Sequence, residues 1–194
     1  RGKLCGDLTV ACLDENEFMV FGSGAAQEMH RRWFESHLDK FNLSYSNRSD
    51  EYHGLSIAGP NSRKVLEKIV RDDVSNEKFK FRDSRRMFVG GVPAIINRIS
   101  FTGELGYEIY VAPHYQLKLY EELMEAGKEF NIKPFGGRAL MSMRLEKNWG
   151  AWTLDYRPDF TAKETGLDAF INWDKEFIGK ESAQKENSSN KLIP

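Results

Sequence analysis

Apolar positions along the chain fall into short alternating runs and helical stripes that take turns, a pattern that predicts an α+β fold built in layers. Residues 7–13 (DLTVACL) and 17–21 (EFMVF) are β-rich runs split by the acidic turn Asp14-Glu15-Asn16, which predicts a hairpin. From 25 to 38, Ala26, Met29, Trp33 and Leu38 recur near a helical period among charged residues and predict an amphipathic helix. Residues 52–58 alternate as a strand up to Gly59-Pro60. Val65, Leu66, Ile69 and Val70 then form a helical stripe, with the proline expected in its first turn.

Segments 85–89 and 92–100 flank Gly90-Gly91, a favourable hairpin dipeptide because glycine tolerates positive φ. A third strand, 107–111, follows the turn Thr102-Gly103-Glu104-Leu105-Gly106. Leu117, Tyr120, Leu123 and Met124 predict a helix ending at Gly127, and Gly136-Gly137 opens another that runs to about Asn148. The body of that last helix, ALMSMRLEKNW, is apolar around much of its circumference, which predicts burial. From Lys185 the chain turns polar and aperiodic and reads as a linker or frayed end.

The 194 residues, 40% hydrophobic and 12% aromatic, suffice for a sizeable core. With 28 Lys and Arg against 29 Asp and Glu, the chain has no basic field to draw nucleic acid or anionic lipid. Its apolar runs fall far short of the roughly 20 residues of a membrane-spanning helix. Neither GxGxxG nor GxxxxGK[ST] occurs, so no nucleotide pyrophosphate site is expected within the chain. Cys5 and Cys12 are too sparse for a disulfide framework and suit a reducing compartment. His30 and His37 can share one helix face, but the four histidines show no metal-ligand spacing, and no metal is expected. The chain starts at Arg1 without a signal segment and reads as an internal piece of something longer.

Three features can carry chemistry. In Phe101-Thr102-Gly103-Glu104-Leu105-Gly106-Tyr107-Glu108, two glycines permit a tight reversal, and strand alternation sets Glu108 on the face away from Tyr107 and Ile109. That carboxylate is either a ligand or a solvated hairpin residue. Arg138 follows Gly136-Gly137 into the first turn of a helix, where the macrodipole disfavours a cation unless an anion is near; it serves either a carboxylate ligand or a structural ion pair. Arg144 and Glu146 suit structural pairing. Asp7, beside Gly6 at the head of an apolar strand, is either functional or a turn terminator. Trp149, Trp152 and Tyr156, with Arg157-Pro158, can floor a flat heterocycle or pack a core.

Taken in order, GDLTV, LSIAGPNSRKVLEKI, RISFTGELGYEIYV, GGRALMSMRLEKNWGAW and GLDAFINWDKEFIGKESA resemble the aminomethyltransferase family, the glycine cleavage system T-protein and its relatives. Within it the likeness is greatest to the folate-binding portion of dimethylglycine and sarcosine dehydrogenases and oxidases. The resemblance implies a three-domain clover-leaf that includes a ferredoxin-like α+β domain. Residues 1–184 would form the folate-binding region, incomplete at its N-terminus, and 185–194 a linker or the start of a C-terminal barrel.

It also implies that tetrahydrofolate sits in the central opening and receives a one-carbon unit from a methylated amine, giving 5,10-methylenetetrahydrofolate. Asp7 matches the catalytic Asp beside folate N10, Glu108 the pterin-binding Glu, and Arg138 the Arg suited to folate's glutamate carboxylate. Phe101 stands where many members have Tyr, so ring stacking is kept and a hydroxyl is lost. FAD would belong to an oxidoreductase domain of the same polypeptide, outside this chain. The expected location is cytoplasmic, or the mitochondrial matrix in a eukaryote. A free-standing T-protein-like aminomethyltransferase and a non-catalytic folate-binding or regulatory relative are the other readings the family allows.

Overall fold

The expected alternation of hairpins and helices is realised, with several boundaries moved. In the computed structural model, which describes residues 2–185, β1 (Thr9–Asp14) and β2 (Glu17–Phe21) pair as a two-stranded sheet. Most of the polar stretch predicted as a linker lies outside the described residues. The chain divides into two units: Val10–Met19 with Ser46–Trp149, and Arg1–Thr9 with Val20–Tyr45 and Gly150–Pro194.

The larger unit carries β3 (His53–Ala58), α2 (Ser62–Glu67), β4 (Ser84–Val89), β5 (Val92–Asn97), β6 (Gly106–Val111), α3 (Gln116–Gly127) and α4 (Gly137–Glu146). Its four strands form an antiparallel sheet in the order β3-β6-β5-β4. Gly90 and Gly91 sit at φ 58° and 77° and join β4 to β5 in two residues, a reversal whose twist matches the strands it connects. Gly106 admits no side chain, because a Cβ there would lie 2.7 Å from the Ile57 carbonyl oxygen and 2.7 Å from the Ser100 Cβ.

Alternation sends Ile57, Met87, Ile96, Tyr107, Ile109 and Val111 to one face of the sheet, where Val65 and Leu66 of α2 and Leu119, Leu123 and Ala126 of α3 cover them. Tyr107 also stacks on Phe79 at 5.8 Å between ring centroids. Burial of this apolar surface is the main source of the unit's stability.

Several sequence expectations need correction. Pro60 precedes α2, whose first residue is Ser62. The α3 stripe is carried by Leu119, Leu123 and Ala126, whereas Leu117 is 67% exposed. β5 ends at Asn97, so 98–101 leave the sheet. The clearest miss is α4: its apolar circumference predicted burial, yet only Arg144 is buried. That guanidinium donates to the Trp149 carbonyl oxygen at 2.9 Å and so turns the chain at the helix end.

In the smaller unit the single helix expected over 25–38 is three pieces: a 3-10 turn at Gly24–Ala26, α1 (Gln27–Glu35) and a second 3-10 turn at Leu38–Lys40. Arg31 supports the middle by pairing with Glu28 and Glu35 on one face. Ser36 ends it, its hydroxyl turning back to the Trp33 carbonyl oxygen at 2.8 Å. Trp152 and Tyr156 pack with Ala26 as a small core, so the aromatic cluster divides: these two serve packing, while Trp149 belongs to the larger unit and is 43% exposed. Thr161 and Glu164 exchange bonds reciprocally, the Thr161 N–H to the carboxylate at 2.7 Å and the Glu164 N–H to the hydroxyl at 3.1 Å. α5 (Lys180–Lys185) closes the described chain. Among the described residues no helix is long and apolar enough to cross a membrane.

Candidate functional site

Glu108 lies in the middle of β6, flanked in register by Ser56 of β3 and Asn97 of β5. Because Tyr107 and Ile109 fill the core, its side chain leaves from the opposite face, as alternation requires. One carboxylate oxygen accepts a hydrogen bond from the Tyr110 hydroxyl at 2.8 Å; the other, Oε1, has no partner among the described residues. Burial pushes the Glu108 pKa above the ordinary carboxylate value, against the smaller opposing effect of that hydrogen bond. Burial, helped by the neighbouring carboxylate, raises Tyr110 as well, so the phenol stays a donor. The pair therefore presents a half-buried acceptor held in place on a rigid strand.

The turn before β6 is stitched by its own side chains. Ser100 and Thr102 share a hydrogen bond of 2.7 Å, and the Glu104 N–H donates to the Thr102 hydroxyl at 3.4 Å. Gly103, at φ 72°, packs against Lys147 and Trp149, and Glu104 pairs with Lys147 at 3.1 Å. The turn that carries the half-buried Phe101 is thereby pinned to the C-terminal end of α4.

Arg138 sits at the other end of α4, in its first turn, exposed and without a partner among the described residues. The helix N-cap, Gly136, offers no side-chain bond to the free N–H groups. Nine residues of helix, at 1.5 Å rise each, separate Arg138 from Lys147 by about 14 Å. The arrangement gives the turn that carries Phe101 at one end of α4 and, at the other, an exposed cation without a partner among the described residues.

Asp7 belongs to the smaller unit. It stands two residues before β1 and so does not open the strand as expected. Its side chain is reached by solvent, yet the protein around it withdraws part of the carboxylate's hydration and raises its pKa. His30, for which no metal role was expected, is a buried packing residue. It is 5% exposed, its Nε2 lies 3.2 Å from the Cys5 carbonyl oxygen, and its ring packs 5.7 Å from Trp152. A Cβ on Gly6 would come within 2.7 Å of that ring nitrogen, so His30 braces the backbone that leads into Asp7. Among the described residues no group of three or more His, Cys, Asp or Glu is placed to hold a metal, and Cys5 and Cys12 are free thiols.

A cavity of about 590 Å³ opens along β3, α3 and the start of α4, lined by Ile57, Tyr120, Phe130, Phe135 and Leu140 among others. None of the four residues singled out from the sequence lines it.

Comparison with known proteins gives these positions a context. The chain is 36% identical over 190 residues to the mitochondrial dimethylglycine dehydrogenase of Homo sapiens, covering 95% of this chain and 22% of that protein. It is 30% identical over 188 residues to the aminomethyltransferase of Thermoanaerobacter pseudethanolicus, covering 96% of this chain and 50% of the other. The chain thus spans between about a fifth and a half of the curated relatives it matches. Among solved structures, the heterotetrameric sarcosine oxidase from Corynebacterium sp. U-96, in complex with pyrrole 2-carboxylate, superposes with a TM-score of 0.55 at 20% identity. That match covers 70% of this chain and 66% of the other, and it supports the shared fold. The GCVT N-terminal domain model matches residues 1–175. The glycine turn into β6, the helix opened by Gly136-Gly137 and the GDLTV start all fall inside that match, and the chain belongs to the GCVT N-terminal domain family of aminomethyltransferases and dimethylglycine dehydrogenases.

Proposed function

We propose that this chain is the tetrahydrofolate-binding, one-carbon-transferring module of an amine-demethylating enzyme of the dimethylglycine dehydrogenase kind. The observation that carries the reading is Glu108: a half-buried carboxylate on a central strand, with one oxygen tied to Tyr110 and the other free to accept. Higher identity to dimethylglycine dehydrogenase than to the aminomethyltransferase, 36% against 30%, supports a module of the former over a free-standing transferase.

The residues fit a folate. Glu108 would accept the paired donors of a pterin's amino and ring N–H groups, Phe101 would offer a ring face to stack on, and Arg138 would take the glutamate carboxylate by its planar donor fork. The roughly 14 Å of α4 between the turn and Arg138 suits a ligand with a heterocycle at one end and a carboxylate at the other. Bound tetrahydrofolate supplies the nucleophilic nitrogen that accepts the one-carbon unit. Asp7 would stabilise the positive charge that develops at the reacting nitrogen, an electrostatic task for its carboxylate. FAD would act from a domain outside this chain.

Asp7→Ala tests the transfer role. Transfer in the full-length polypeptide should fall by about 100-fold or more while tetrahydrofolate affinity stays within about threefold, since the lost interaction acts on developing charge. Transfer at the wild-type rate would remove Asp7 from the mechanism.

A further inference from the structure

Asn97 ends β5 directly opposite Glu108 in the β5–β6 register, so the two side chains leave the same face of the sheet. In such a pair the Cβ atoms stand about 4.5–5.5 Å apart, close enough for both heads to meet one small ring. Their neighbours Ile96 and Ile109 also pair and point the other way, into the core. Asn97 is 1% exposed, and neither its side-chain oxygen nor its nitrogen finds a hydrogen-bond partner among the described residues. A buried amide left unsatisfied costs stability, and proteins retain few of them. Leucine at this position would fill the same space among apolar strand residues without that cost. A donor and an acceptor kept dry beside a free carboxylate oxygen form half of a hydrogen-bonding edge.

We propose that Asn97 is a specificity-determining residue of the folate site, its amide nitrogen donating to the 4-oxo oxygen of the pterin while Glu108 takes the adjoining ring N–H and 2-amino group. This rests on the folate reading of Glu108 and names a second contact on the same ring. The 2-amino-4-oxo edge offers donor, donor and acceptor in sequence, and Glu108 with Asn97 answers with acceptor, acceptor and donor. The pairing explains why a strand otherwise apolar toward its end closes on an asparagine.

The test uses the full-length polypeptide and two probes titrated calorimetrically, tetrahydrofolate and tetrahydroaminopterin, the second carrying a 4-amino group in place of the 4-oxo oxygen and lacking the N3–H. The Glu108 contact changes between probes equally in wild type and Asn97 variants, so a shift in their affinity ratio reports on Asn97. Asn97→Leu should weaken tetrahydrofolate at least about tenfold while the thermal midpoint of the ligand-free protein holds or rises, because an unsatisfied amide has been removed. Asn97→Asp keeps acceptors and loses the donor; it should weaken tetrahydrofolate more than tetrahydroaminopterin and shift their affinity ratio by about tenfold or more. If wild type binds, Glu108→Gln weakens binding, and neither Asn97 variant changes affinity or ratio, the inference falls and the folate reading stands. Should folded wild type bind neither probe, the folate reading falls and takes the inference with it.

Discussion

Replacing Glu108 with glutamine keeps the shape of the side chain and removes its charge and one acceptor. The Tyr110 hydroxyl can still donate to the remaining carbonyl oxygen, so the 2.8 Å bond of the wild type survives. One charge-assisted bond to the ligand disappears, worth about 1.5–3 kcal/mol. Affinity for tetrahydrofolate should therefore drop roughly 10- to 150-fold. Stability should move the other way. Burial raises the folded pKa of Glu108 above its unfolded value, so its contribution is fully present below the ordinary carboxylate pKa and is lost as pH rises through the raised one. Glutamine titrates nowhere in that window. The variant's stability relative to wild type should then be constant in acid, increase in the variant's favour as pH climbs through the window, and level off above it. Calorimetric titration and denaturant unfolding at a series of pH values measure both halves. Unchanged affinity would remove Glu108 from the binding site, and a stability difference independent of pH would refute the burial argument.

Other outcomes follow from the same geometry. Arg138→Ala, at an exposed position without a partner among the described residues, should leave stability within about 0.5 kcal/mol. It should also make tetrahydrofolate bind no better than an analogue lacking the glutamate, as paired titrations would show. Gly106→Ala drives a methyl to 2.7 Å from the Ile57 carbonyl oxygen and should cost about 2–3 kcal/mol in urea unfolding, by the overpacking cost of a tight site. Ile109→Ala opens a cavity at a fully buried strand position and should cost about 2–5 kcal/mol by the same measurement, with little change in the slope against denaturant.

Local chemistry was the legible part of this fold. Gly90-Gly91 announced its hairpin because few other dipeptides hold positive φ twice in succession. Strand alternation placed Glu108 opposite Tyr107 without any knowledge of the sheet. Strand order was not legible: β3 joins β6 across a long connection, and nothing in either run names its partner. α4 misled because its leucines and methionines read as a buried helix, whereas their burial depends on what surrounds the helix. α3 misled within one turn, Leu119 and not Leu117 meeting the core, since leucines crowd both faces. Asn97 escaped notice because a polar residue inside a predicted strand looks ordinary until the register sets it beside Glu108. His30 was likewise visible only as a histidine on a helix, its hold on the Cys5 carbonyl lying 25 residues away in sequence.

The most direct test of the central claim is calorimetric titration of the wild-type full-length polypeptide with tetrahydrofolate. Saturable one-site binding, weakened when Glu108 is changed to glutamine, is the predicted result. Absence of binding by a protein that unfolds cooperatively and is therefore folded would contradict it, leaving a family fold kept for some other use.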